Sequence, residues 1–145
     1  MAPKQPITSE KGIKSPLFSQ AIVHNGTVYC SGSVGIDPST MKVVEGSVAD
    51  RTKQVFENIK NVLEEAGSSL QNIVKMNIYL TDMADYAAMN NVCAYNPSSS
   101  GATTFQSTDR KQSSQPSRIP SQHVLASASR SYQEKPMKEE SAPKL

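Results

Sequence analysis

An Asn25-Gly26 pair between two short β-rich runs constrains this chain more than any other feature. A two-residue hairpin turn needs φ > 0 at both central positions, which Asn and Gly tolerate and most residues do not. Residues 21–24 and 27–31 are therefore read as paired antiparallel strands with a register set by the turn. The second strand runs into Ser31-Gly32-Ser33-Val34-Gly35. Its glycines let backbone approach a ligand closely, and its two hydroxyls stand beside backbone N–H groups. Taken alone, these residues favour a plain turn over a ligand loop.

Past the hairpin, Asp37-Pro38-Ser39-Thr40 is turn chemistry and residues 42–45 form a brief extended piece. Ser47 with Asp50 three residues on starts a helix in the manner of a capping box. Val55, Phe56, Ile59, Val62, Leu63 and Ala66 then repeat at helical spacing, and Gly67 closes the helix. Lys53, Glu57, Lys60, Asn61 and Glu64 make its solvated face. Residues 73–80 alternate as a half-buried strand, with Val74, Met76, Ile78 and Leu80 to one side. Thr81 or Asp82 caps a second helix over 83–95 whose inner face is Tyr86, Met89, Val92 and Cys93. Asn96-Pro97 ends it.

This order of hairpin, helix, strand and helix describes an α+β fold with two helices on one face of a mixed sheet. Residues 1–14 read as a loosely attached N-terminal arm with a possible short strand near Ile7. After Pro97 the composition changes. Ser98-Ser99-Ser100-Gly101 and Ser113-Ser114-Gln115-Pro116-Ser117 are low-complexity, and residues 133–145 are mostly Lys, Glu and Pro. A hydrophobic content of 37% and a mean hydropathy of −0.46 fit a chain that is only partly packed. Residues 97–145 are accordingly predicted to be a disordered tail unable to form strands with a buried face.

Several function classes find no support. A net charge of +2 without clustered Lys or Arg argues against a nucleic-acid partner. No apolar run has the length of a membrane span, and a cytoplasmic location is the default, with the mitochondrion as the alternative. Cys30 and Cys93 lack metal or redox spacing and read as small reduced hydrophobes. His24 and His123 have no ligand-spaced partners, so no metal is expected. The chain has no G-x-S-x-G elbow and no phosphate loop.

The segments Phe18-Ser19-Gln20-Ala21, Tyr29-Cys30-Ser31-Gly32, Ile36-Asp37-Pro38, Val44-Glu45-Gly46, NIKNVLEEAG over 58–67, Val74-Lys75, Tyr79-Leu80-Thr81-Asp82-Met83 and Ala87-Ala88-Met89-Asn90 occur in an order that resembles the RidA (YjgF) family, in particular its fungal members. The resemblance covers residues 15–95. It implies a chorismate-mutase-like α+β protomer in homotrimers with ligand pockets between subunits. It also implies hydrolysis of reactive 2-imino or enamino acids to 2-oxo acids and ammonia, without metal or cofactor. RNA cleavage is attributed to some members.

Carried over by position, Ser31 and Gly32 match the ligand loop, Asn90 matches a helix Asn near the pocket, and Phe18 stands where the family usually has Tyr. The family's last two strands, P-x-R-x-C-V and V-E-I-E, are missing from the sequence. They would bring the Arg that clamps the substrate carboxylate and the Glu that handles the attacking water. Arg118, in Pro116-Ser117-Arg118, is the weak candidate for the clamp. The chain thus divides into the arm (1–14), an incomplete RidA-like domain (15–96) and the tail (97–145). Three functions follow as expectations: an imine deaminase of impaired activity, a non-catalytic module that binds small carboxylates or full-length family members, or a non-functional product. An abrupt end to the resemblance in mid-fold is the pattern left by a shifted reading frame or a retained intron.

Overall fold

The computed structural model of the chain describes residues 3–95 and 102–107. Gln5–Ile7 (β1), Ala21–His24 (β2) and Thr27–Cys30 (β3) form an antiparallel ladder in the order β1-β2-β3. The turn is the one the sequence demands: Asn25 and Gly26 have φ of 48° and 72°, and His24 pairs with Thr27 across it. That register puts Ala21, Val23, Val28 and Cys30 on one buried face. His24 is half-buried with Nδ1 enclosed.

β1 belongs to the arm, which is more firmly held than a loose attachment. It pairs with β2 from Gln5 beside Val23 to Ile7 beside Ala21, and Ile7 and Ser9 are buried. The buried side chain of Gln20 accepts from the Ser9 N–H at 2.6 Å. It also donates to the carbonyls of Ser9 at 3.2 Å and Ile13 at 3.0 Å. Each such bond contributes about 1 kcal/mol net, so three of them outweigh the tendency of a short arm to fray.

Ile36–Asp37 (β4) and Lys42–Val43 (β5) pair antiparallel around a turn in which the Asp37 carboxylate accepts from the Ser39 N–H and hydroxyl. Val48–Glu65 (α1) opens on the full capping box, with Ser47 Oγ accepting from the Asp50 N–H and the Asp50 carboxylate accepting from the Ser47 N–H. It closes on Gly67 at φ 72°, with the Ser68 N–H bonded to the Leu63 carbonyl and the Gly67 N–H to that of Glu64. The apolar stripe of α1 is buried against β3, β4 and the second helix. Two polar residues share that stripe, Thr52 and Asn58. Thr52 returns its hydroxyl to the Val48 carbonyl at 2.7 Å.

A 3-10 turn over Leu70–Asn72 leads to Lys75–Leu80 (β6), and another over Met83–Asp85, capped by Asp82, leads to Tyr86–Tyr95 (α2). Met76, Ile78 and Leu80 are buried as the alternation requires. Val74 is not: it is 53% exposed, whereas Ile73 is buried. The 3-10 turn ends at Ile73, so the phase of the strand begins only at Lys75 and the alternation cannot be extended backwards through Val74.

The expectation of a disordered tail over 97–145 is corrected at Ala102–Ser107 (β7), which runs parallel to β6 with Lys75 beside Ala102 and Leu80 beside Ser107. The reason lies largely in β6, whose edge N–H and C=O groups need partners. Thr103-Thr104-Phe105 is also a β-favouring trio within a Ser-rich run. The sequence Ala-Thr-Thr-Phe-Gln-Ser supplies neither Arg nor Glu. The rest of the expected tail, and Arg118 with it, lies outside the described residues. Among the described residues the architecture is α+β, with two α-helices and strands hydrogen-bonded in three sheets.

Candidate functional site

The loop that follows β3 is tied down on both sides. The Ser31 N–H donates to the Gln20 carbonyl at 2.9 Å, and Ser31 Oγ donates to the Ser19 carbonyl at 2.6 Å. The hydroxyl proton is thereby committed, which leaves the oxygen lone pairs to accept. From α1, Asn58 Nδ2 donates to the carbonyls of Val34 at 3.1 Å and Ile36 at 2.8 Å. Gln54 Nε2 in turn donates to Asn58 Oδ1 at 3.0 Å. Between those two carbonyls Gly35 is pressed against α1 so closely that a Cβ there would stand 2.9 Å from both Cβ and the carbonyl oxygen of Arg51.

The loop walls a cleft of about 200 Å³. Gly12 and Ile13 of the arm, Phe18, Ser31 to Val34, and Ile59 and Val62 of α1 line it. Its surface is mostly apolar, and its one titratable lining side chain among the described residues is Cys30. The N–H groups of Gly32 and Ser33 donate to no protein acceptor among the described residues. A broader groove of about 450 Å³ runs along Lys53, Glu57, Lys60 and Glu64. It is the solvated face predicted for α1, with Lys60 ion-paired to Glu57 at 3.3 Å.

Shifted ionisation occurs outside the cleft. The Ser39 hydroxyl, then its N–H, lowers the Asp37 carboxyl, and the Ser47 hydroxyl does the same for Asp50 ahead of a smaller pull from Lys53. Burial pushes the Cys93 thiol up to about 11, which leaves it protonated and unreactive at neutral pH. Both cysteines are free. Among the described residues no three His, Cys, Asp or Glu side chains converge on a point that could hold a metal ion.

Of the residues singled out from sequence, Phe18, Ser31 and Gly32 meet in the cleft. Asn90 sits half-buried on α2 and does not line the cleft of a single chain. Sequence reasoning passed over Asn58 and Gln20, the two buried amides. Asn58 carried a signal, a carboxamide in phase with the apolar stripe, three residues after Val55 and four before Val62. Gln20 carried none beyond its place at the start of a strand.

Fold and site define a class: an α+β protein with a small apolar cleft between a hairpin loop and a long helix. Residues 13–104 match the family model described as Endoribonuclease L-PSP, and the chain belongs to that family. It is 49% identical over 92 residues to the protein mmf1, mitochondrial, of Schizosaccharomyces pombe, a match covering 63% of this chain and 56% of that protein. It is 45% identical over 91 residues to a RutC family protein of Pyrococcus abyssi, covering 61% and 71%. The matched segment is thus little more than half of the fission yeast protein. Among solved structures, RidA from an Antarctic Psychrobacter is 37% identical with a TM-score of 0.70, covering 88% of this chain and 98% of that one. Yeast Mmf1 is 30% identical with a TM-score of 0.74, covering 90% and 100%. The RidA resemblance read from the sequence, fungal members included, is borne out. No helix among the described residues is long and apolar enough to cross a membrane.

Proposed function

We propose that this chain binds small 2-imino and 2-oxo acids in the cleft beside Phe18, Ser31 and Gly32, and that imine hydrolysis needs a charged wall the cleft does not itself contain. The observation that carries this reading is the composition of the cleft: apolar sides, the small residues Gly32 and Ser33, the Ser31 hydroxyl, and no carboxylate or guanidinium among the described lining residues. The N–H groups of Gly32 and Ser33, without an acceptor among the described residues, suit a carboxylate, since hydrogen bonds to an ionised acceptor are about twice as strong as neutral ones. Ser31 Oγ suits an imine N–H, and Ile13, Phe18 and Ile59 suit a short aliphatic chain. At about 200 Å³ the cleft falls below the ~300 Å³ at which drug-sized ligands begin, so a nucleotide of RNA is a poor fit.

Hydrolysis adds water to the imine carbon, and the resulting carbinolamine expels ammonia to leave the 2-oxo acid. One group must take a proton from the water and another must deliver one to the departing nitrogen. β7 brings neither Arg nor Glu to those tasks. A full-length family member co-assembled with this chain is the source of charge that the RidA relationship offers, since a second copy of the chain in a homotrimer lacks the same Arg and Glu. Leu17, Phe18 and Tyr29, all more than half exposed, are the apolar surface such an assembly would cover. The mitochondrial location in the name of the fission yeast relative supports the mitochondrion for this chain.

Calorimetric titration with pyruvate tests the binding, and ammonia release from an imine generated in situ tests the chemistry, each with the chain alone and mixed with a full-length relative. Binding by the chain alone with ammonia release only in the mixture is the expected result. Absence of pyruvate binding in both preparations overturns the proposal. Ammonia release by the chain alone, far above the uncatalysed rate, replaces it with a self-sufficient deaminase.

A further inference from the structure

We infer that Asn58 is a positioning residue that sets the shape of the ligand cleft, a role that rests on the binding reading above. Asn58 is 5% exposed on α1, at sequence separations of 24 and 22 from the carbonyls it holds. Both of its amide protons are spent on the loop, one on each side of Gly35, and its oxygen is satisfied by Gln54. Both donors of one buried side chain are therefore used to hold two loop carbonyls turned toward α1. Turning those carbonyls inward constrains the peptide planes of the loop, whose Gly32 and Ser33 N–H groups have no acceptor among the described residues. A helix needs no such residue for its own stability, since an apolar side chain would fill the stripe at lower desolvation cost.

The arrangement is chemically one-directional. Two carbonyl oxygens require two donors, and a neutral carboxamide is the side chain of this size that offers both together with an acceptor for Gln54. Asn58→Asp keeps the shape and reverses the electrostatics, because an ionised carboxylate faces two carbonyls. Protonation restores one donor. Ionisable side chains around it include Cys30, in the same cleft, Asp37, next to the Ile36 carbonyl that Asn58 holds, Glu57, beside it on the exposed face of α1, and Arg51, two turns back on α1 against Gly35 and donating from Nη2 to the Gly46 carbonyl.

The experiment measures pyruvate affinity of the full chain between pH 5 and 8, together with amide hydrogen exchange over residues 32–36 without ligand. Wild-type affinity is expected to be flat with pH. Asn58→Asp is expected to bind about tenfold more weakly at pH 8, the effect of one lost buried donor, and to recover toward wild type as pH falls. Exchange over 32–36 quickens in the same variant at pH 8 and slows again at pH 5, while the interior of α1 stays protected. Gln54→Ala removes only the outer bond to Asn58, folds in any case, and is expected to weaken binding about twofold to threefold. Wild-type affinity and loop exchange in both variants, with only a lowered Tm, overturn the inference. If the wild-type chain binds no 2-oxo acid, the binding reading falls, and the loop exchange of the two variants still decides whether Asn58 positions the loop.

Discussion

At the scale of single residues, the structure separates side chains that hold backbone from those that could meet a ligand. Ser31 does both, since its proton goes to Ser19 and the residue lines the cleft. Ser47 only holds backbone, and it yields a clear pH signature. The Ser47 hydroxyl is the largest cause of the lowered Asp50 ionisation. A carboxyl lowered by folding stabilises the native state above its ordinary range, and that gain is lost as pH falls through the folded value. Ser47→Ala, which removes that N-cap, should therefore lower Tm at neutral pH by several degrees. The gap between variant and wild type should narrow in thermal scans taken from pH 5 down to pH 2. A gap that stays constant with pH would show that the capping box does not depend on the Asp50 charge.

At the scale of elements, two glycines with different reasons for being glycine give a second test. Gly26 is required by conformation, at φ 72° in the hairpin turn. Gly35 is required by space, because a Cβ would meet the backbone and Cβ of Arg51 at 2.9 Å. Gly26→Ala should lower stability by about 1 kcal/mol through left-handed strain and leave ligand affinity unchanged. Gly35→Ala should cost about 1–3 kcal/mol, because backbone must move, and should weaken pyruvate binding as well. Thermal melts and calorimetry on the pair check the contrast, and equal effects on affinity would mean that the cleft loop and α1 are not mechanically linked. The hairpin and both helices were legible because each depends on contiguous residues: a φ > 0 pair, a capping box and apolar positions at helical spacing. Val74 was misplaced because alternation carries no marker for where a strand begins, and only the preceding 3-10 turn sets the phase.

At the scale of the whole molecule, β6 is the pivot. It is buried on alternate residues and needs a neighbour along its edge, and β7 supplies one in parallel. A chain ending at Ser107 should keep a cooperative transition and remain soluble. A chain ending at Tyr95 leaves the β6 edge open and should aggregate on warming, as followed by light scattering. Equal solubility of the two would show that β7 contributes nothing to the fold. Translating the coding DNA beyond Asn96 in the other two frames tests the origin of the altered segment. Finding no P-x-R-x-C-V or V-E-I-E peptide there counts against a shifted frame or a retained intron.

What the sequence determined by itself was local and periodic: the hairpin turn and its register, the two amphipathic helices with their caps, and the family, carried by a run of short motifs in order. Ser31 and Gly32 became candidates on equally local grounds, because small residues after a strand announce a loop that can approach a ligand. Only the tertiary structure decided that Asn58 and Gln20 grip opposite walls of one cleft, that Asn90 stands apart from it within a chain, and that β7 pairs with β6. The physical reason is common to all of these. Each depends on a hydrogen bond or a wall formed by residues distant in sequence, and such a partner has no period and leaves no mark on its neighbours in the chain.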